Sequence, residues 1–169
     1  YTTKTVTEKA EGIFEKLVRM KYYSTNRKAS EVSLKEAVIK GLAPDKGLYM
    51  PEYLPELPKA FFDNIENMSL QEMSSVVAEA LFGDDIEPET LKRIVYDTLS
   101  FDIPIHHVAK NRYTLALYHG PTLAFKDVGA RFMARMLGYF NAKDEDKRPV
   151  NVLVATSGDT GSAVANGFL

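Results

Sequence analysis

Residues 113–169 read YTLALYHGPTLAFKDVGARFMARMLGYFNAKDEDKRPVNVLVATSGDTGSAVANGFL, and the fold assignment turns on them. Tyr113–Tyr118 is a short apolar run suited to a buried strand. Asp127–Phe140 follows with helical period through Val128, Phe132, Met133, Met136, Leu137 and Phe140. A charged loop, Lys143–Arg148, leads to a second apolar run, Val150–Ala155, and a glycine-rich turn opens another helix at about Ser162. Strand–helix–strand–helix of this length predicts parallel strands joined by right-handed crossovers, an α/β architecture. Two parallel strands cannot cover both faces of a sheet. The sequence therefore reads as cut within its last helix. Val152, Val154, Val164 and Phe168 are expected to be exposed unless a partner or self-association of the chain shields them.

Upstream, the pattern is mainly helical. Ser33 and Glu36 have capping-box spacing ahead of Leu34, Ala37 and Val38, and Gly41 closes that helix. A proline-rich stretch with Pro44, Pro51, Pro55 and Pro58 is expected to run extended. Ser69–Phe82 places Leu70, Met73, Val76, Val77, Ala80 and Leu81 on one stripe. Glu89–Leu99 does the same with Leu91, Ile94, Val95, Thr98 and Leu99, and Pro88 suits a first turn. Both stripes read as core. Residues 1–19 form a weak amphipathic pattern ahead of Met20 and read as an extension. The expected division is 1–19 as extension, 20–100 as a small N-terminal domain, and 101–169 as the start of an incomplete α/β domain.

Composition narrows the function classes. With 21 basic against 23 acidic residues, the formal charge of −2 leaves no electrostatic footprint for nucleic acid. The absence of cysteine excludes disulfides and Cys-ligated zinc. No apolar run approaches the ~20 residues of a membrane span. A cytoplasmic protein that engages neither nucleic acid nor membrane is the expectation.

Two segments sit where α/β proteins keep their sites, at the carboxyl ends of strands. The first is HGPTLAFKD, residues 119–127. Lys126 lies at a helix start, where the macrodipole disfavours a cation, and Leu123, Ala124 and Phe125 are expected to add desolvation. Both effects favour the neutral amine that Schiff-base chemistry requires. A surface lysine paired with Asp127 is the plainer alternative. The second segment is ATSGDTGSA, residues 155–163. Gly158 and Gly161 allow close backbone approach, while Ser157, Thr160 and Ser162 offer hydroxyls beside the N–H groups of a helix start. That suits a carboxylate or phosphate, and equally an ordinary capped turn. His106 and His107 are adjacent and point to opposite faces of a strand, so no shared metal is expected. His119 is near enough in sequence to face the cleft of Lys126. Arg131 and Arg135 are expected on a solvated helix face, with ligand binding as the alternative.

HGPTLAFKDVGARFMARML closely resembles the lysine segment of the threonine synthase family, pyridoxal-phosphate enzymes of the tryptophan-synthase-β-like fold (fold type II). ATSGDTGSAVA resembles that family's substrate and cofactor loop, and SLKEAVIKGLAPDKGLYMPEYLPEL is similar to its opening region. The resemblance runs from about Met20 to Leu169. It implies that Lys126 carries pyridoxal 5′-phosphate and acts as the catalytic base. It also implies that Thr156, Ser157, Gly158 and Thr160 hold the substrate carboxylate, with Asp159 bordering the cofactor ring. The reaction implied is conversion of O-phospho-L-homoserine and water to L-threonine and phosphate. Asp159 departs from the asparagine common in related enzymes. The family's glycine-rich phosphate cradle lies downstream of the matched region, so these residues alone are expected to be inactive. A serine or threonine dehydratase of the same fold is disfavoured by the HGPT–FKD spacing and by GDTG. A non-catalytic anion-binding module would keep the 157–160 cradle and make no use of Lys126.

Overall fold

The computed structural model describes residues 19–144 and 149–169. The helix expected over residues 1–19 falls almost entirely outside them, as does most of the 143–148 loop.

The N-terminal part is built on short, locally secured pieces. β1 (Tyr22–Ser24) pairs antiparallel with β2 (Tyr49–Pro51), setting Tyr22 opposite Pro51 and Ser24 opposite Tyr49. The proline-rich stretch therefore contributes a strand, with Pro51 at its end where a missing N–H is tolerated. Between these strands lies α1 (Leu34–Lys40), whose Ser33 hydroxyl accepts from the Glu36 N–H at 3.3 Å. Only half of the expected capping box forms, because the Glu36 carboxylate pairs with Lys40 one turn on. The complete box is at Ser69 and Glu72, which start α3.

Asp45 secures the loops around β1. Its carboxylate accepts from the Ser24 hydroxyl at 2.6 Å and from the N–H groups of Lys28, Ala29 and Gly47 at 2.9–3.0 Å. Four donors on one carboxylate hold its pKa down at about 2, the Ser24 hydroxyl contributing most.

The remaining helices are α2 (Lys59–Asn64), α3 (Leu70–Phe82), α4 (Pro88–Thr98), α5 (Lys126–Ala142) and α6 (Asp159–Phe168). α2 and the single 3₁₀ turn after it were not anticipated. α4 begins with Pro88 at its first position and buries Leu91, Ile94, Val95 and Thr98, as its period predicts. α3 behaves differently. Only Ala78 on it is fully buried, and Val77 is exposed, because its apolar side borders an open groove of about 310 Å³ shared with α4 and α5. The principal core joins Met20, Tyr22, Val32 and Leu34 to Ile86, Leu91, Ile94, Val95 and Leu99. Met136 and Phe140 of α5 complete it. The second half of α5 is thus seated in the N-terminal core, and Tyr139 donates to Glu87 at 2.7 Å just ahead of α4.

The expected parallel sheet does not form among the described residues. Arg112–Leu115 (β4) instead pairs antiparallel with Ile105–Ala109 (β3), across the two-residue turn at Lys110 and Asn111. Every residue of both strands is exposed. Only Ala116, just past β4, is buried, donating its N–H to Pro104 O. Val150–Ala155 is likewise exposed and unpaired. Parallel strands are stable with neighbours on both edges and cover on both faces, and neither segment has them here. Val152, Val154 and Phe168 are exposed as expected. Val164 is not: at 8% exposure it packs against Ala130 and Ala163.

Candidate active site

The turn before α5 is held by a side chain that sequence reasoning assigned elsewhere. Asp127, the second residue of α5, is completely buried. Its Oδ2 accepts from the Thr122 N–H at 2.9 Å and its Oδ1 from the Thr122 hydroxyl at 2.7 Å. Gly120 packs directly on the carboxylate; a Cβ there would lie 2.4 Å from Oδ2. The Leu123 N–H closes the turn onto Gly120 O at 3.0 Å, with Leu123 at φ +58°. That left-handed conformation costs a leucine about 1–2 kcal/mol and persists only where its surroundings enforce it. In the plainer alternative for Lys126, Asp127 was its partner at the surface. It faces inward instead, because its carboxylate is committed to Thr122.

Lys126 is the first residue of α5, as expected, and is partly exposed. Among the described residues its Nζ has no hydrogen-bond or carboxylate partner, and it lies 4.5 Å from the centroid of the Phe125 ring. The desolvation expected from Leu123 and Phe125 is absent. They are 74% and 60% exposed, turned outward by the conformation of the turn.

Arg131 and Arg135 are not a solvated face. Arg131 reaches from α5 to the end of α4, where Nε donates to Thr98 O at 3.2 Å and Nη2 to the Ser100 hydroxyl at 3.0 Å and to Asp97 O. It satisfies the carbonyls that every helix end leaves without intrahelical donors. Arg135 donates to Arg131 O and lies 3.9 Å from the Asp97 carboxylate. Burial, then the charge of Arg131, pushes its guanidinium below the ordinary value. His119 lies beside Ser69, Gln71 and Phe101 in a separate hollow, its ring 4.9 Å from that of Tyr118. His106 and His107 both lie on β3, and the His107 Nε2 is 2.6 Å from Lys110 O. No group of three His, Asp or Glu side chains suited to a metal occurs among the described residues.

The second segment turns at Gly158, whose φ of +141° is open to glycine and strained for any other residue. Asp159, expected in the turn, is already the first residue of α6, and Thr160 the second. The Thr156 hydroxyl accepts weakly from Gly158 N–H at 3.4 Å. Ser162 donates its hydroxyl to Gly158 O at 3.2 Å, so it is not a free donor. Ser157 and Thr160 make no hydrogen bond among the described residues and keep their hydroxyls available. Thr156, Ser157 and Gly158 are exposed.

α5 and α6 bring the two segments to one end of a helix pair. Ala130 packs with Ala163 and Val164. Three to four residues further on, Gly167 reaches Ala130 and Ala134. The contact advances in the same sense along both helices, so they run parallel. Their starts, carrying Lys126 and the 156–160 turn, therefore lie at the same end. Small residues at 130, 134, 163 and 167 permit the close approach.

Comparison with known proteins finds similarity over most of the chain. Residues 21–99 match the sequence family described as Threonine synthase N terminus. Over 149 residues the chain is 41% identical to threonine synthase of Escherichia coli, covering 88% of this chain and 34% of that protein. The Schizosaccharomyces pombe threonine synthase is 34% identical over 162 residues, 89% of this chain and 32% of its own length. Among solved structures, pyridoxal-phosphate-bound threonine synthase from Brucella melitensis superposes with a TM-score of 0.81 at 34% identity, covering 88% of this chain and 33% of that one. The chain spans about a third of the length of the relatives it matches. Its similarity is to the threonine synthases, with residues 21–99 matching the family described as their N terminus.

Proposed function

We propose that this chain serves the pyridoxal-phosphate-dependent conversion of O-phospho-L-homoserine and water to L-threonine and phosphate. The observation that carries the proposal is the shared end of the α5–α6 pair, where the Lys126 amine, without a partner among the described residues, and the open 156–160 turn lie together. The residues suit the cofactor: a partly exposed lysine with no carboxylate partner among the described residues, and N–H groups and hydroxyls suited to an anion. When bound, pyridoxal phosphate supplies an electron sink for carbanions at the substrate. The chain's own residues do the rest. Lys126 would hold the cofactor, and its amine would carry protons between substrate carbons. Ser157 and Thr160 donate to the substrate carboxylate, with Thr156 and Gly158 shaping the turn, and Asp159 borders the cofactor ring. In this reading Lys126 and the 156–160 turn belong to a tryptophan-synthase-β-like, fold-type-II domain. Residues 20–100 form the small domain packed on it, in a cytoplasmic enzyme.

Two measurements test the reading. Pyridoxal phosphate added to the intact protein, then borohydride and peptide mapping, places the label on Lys126, and Lys126→Ala abolishes it. A label distributed over other lysines, or none, sinks the assignment and leaves an anion-binding module. Phosphate release from O-phosphohomoserine with threonine as product marks the synthase, whereas 2-oxobutyrate from threonine as the main product marks a dehydratase.

A further inference from the structure

The Asp127–Thr122 pair has no place in the chemistry just described, yet it is the most thoroughly buried polar contact beside Lys126. Asp127 is wholly inaccessible and spends both carboxylate oxygens on a single residue five positions back. Gly120 leaves no room for the carboxylate to move, since any Cβ would overlap Oδ2. Leu123, between the two partners, is held left-handed, and Leu123 and Phe125 are held out in solvent. A turn that keeps a leucine strained and two large apolar side chains exposed is over-determined by its clamp. Residue 126 leaves that turn with its backbone fixed on one side by Asp127 and on the other by the strained segment.

We propose that Asp127 is a positioning residue: through Thr122 it locks the 120–125 turn and thereby fixes the direction in which Lys126 is presented at the start of α5. The proposal rests on the reading of Lys126 as the cofactor-bearing lysine. Asparagine at 127 can preserve both contacts, accepting the Thr122 N–H on its oxygen and donating its amide N–H to the Thr122 hydroxyl. Alanine keeps neither, and valine at 122 removes only the hydroxyl contact.

The test has an arm without cofactor and an arm with it, both on the full chain. In the cofactor-free protein, hydrogen exchange at the Thr122 amide accelerates about tenfold or more in Asp127→Ala and stays near wild type in Asp127→Asn. With pyridoxal phosphate and borohydride, the labelling rate of Lys126 falls about tenfold in Asp127→Ala and less in Thr122→Val. It is retained in Asp127→Asn, and the double variant Thr122→Val/Asp127→Ala equals Asp127→Ala. Thr122→Val, a smaller change, keeps the question open to measurement should Asp127→Ala fail to fold. Unchanged exchange at Thr122 in Asp127→Ala overturns the clamp. So do additive effects of the two substitutions on labelling. Normal exchange protection with no labelling of Lys126 in the wild type overturns the cofactor reading instead, so the two failures are distinct.

Discussion

Gly167 lies against Ala130 so closely that a Cβ on it would stand 3.0 Å from the Ala130 carbonyl oxygen and 3.5 Å from the Ala134 Cβ. This contact sets the separation of the parallel α5–α6 pair and hence of the two site segments at its far end. Gly167→Leu is expected to pry the helices apart and raise exchange of α6 amides, with little change in the principal core, to which α6 contributes nothing. Exchange of α6 equal to wild type contradicts that packing.

A neighbouring glycine on α5 gives the opposite sign. Gly138 is exposed within the helix, and a Cβ there meets nothing within 4 Å. Gly138→Ala is expected to stabilise the protein by about 1 kcal/mol, because alanine loses less backbone entropy on entering a helix. Thermal or urea unfolding reads the difference.

Phe140 tests whether the lysine-bearing helix is truly seated in the N-terminal core. It is buried beside residues of α1 and α4. Phe140→Ala is expected to cost about 3–5 kcal/mol, through lost burial and the cavity left behind. A cost below 1 kcal/mol in urea denaturation would falsify this seating.

Acid sensitivity should centre on Asp45. Its folded pKa of about 2 lies below the ordinary 3.8. The stability it provides is therefore complete above about pH 4 and is lost as pH falls from there through 2, where the folded carboxylate takes up its proton. Asp45→Asn should unfold at lower denaturant at pH 7 and show a flatter stability profile between pH 4 and 2. Parallel profiles for variant and wild type speak against the assignment.

How much of this was legible in the sequence depends on the range of the forces involved. α4 was readable because its apolar residues recur at helical spacing and Pro88 marks its start. Lys126 was readable because its helix start is a local feature. The β3–β4 hairpin was not, since the apolar run Tyr113–Tyr118 hides an alternating strand. The one available signal was the Lys110–Asn111 pair between two short strand-like segments. The role of Asp127 was not legible because its partner, Thr122, is reached only after the chain folds back through a left-handed leucine that no propensity favours. Arg131 was misread because two of its three acceptors are main-chain atoms, and all lie more than thirty residues away. Backbone acceptors carry no mark in a sequence.

Arg131→Met should expose that long-range contact. It leaves the carbonyls of Asp97 and Thr98 without their donors, at an expected cost of about 1–3 kcal/mol. Arg131→Lys should recover only part of this, since one ammonium cannot reproduce the guanidinium fork. Equal stability of wild type and Arg131→Met in chemical denaturation rules the cap out.

The same arginine has a consequence for how such chains can diverge. α4 finishes with Asp97 and Thr98, and the side chain that finishes it is supplied by a helix lying beyond the hairpin and the glycine–proline turn. The exposed β3–β4 hairpin within that stretch can lengthen, shorten or change composition at little cost, because neither helix end depends on it. Position 131 has no such freedom. A descendant that loses the arginine must acquire another terminator for α4 at the same step, so position 131 and the 97–100 segment are inherited as one unit.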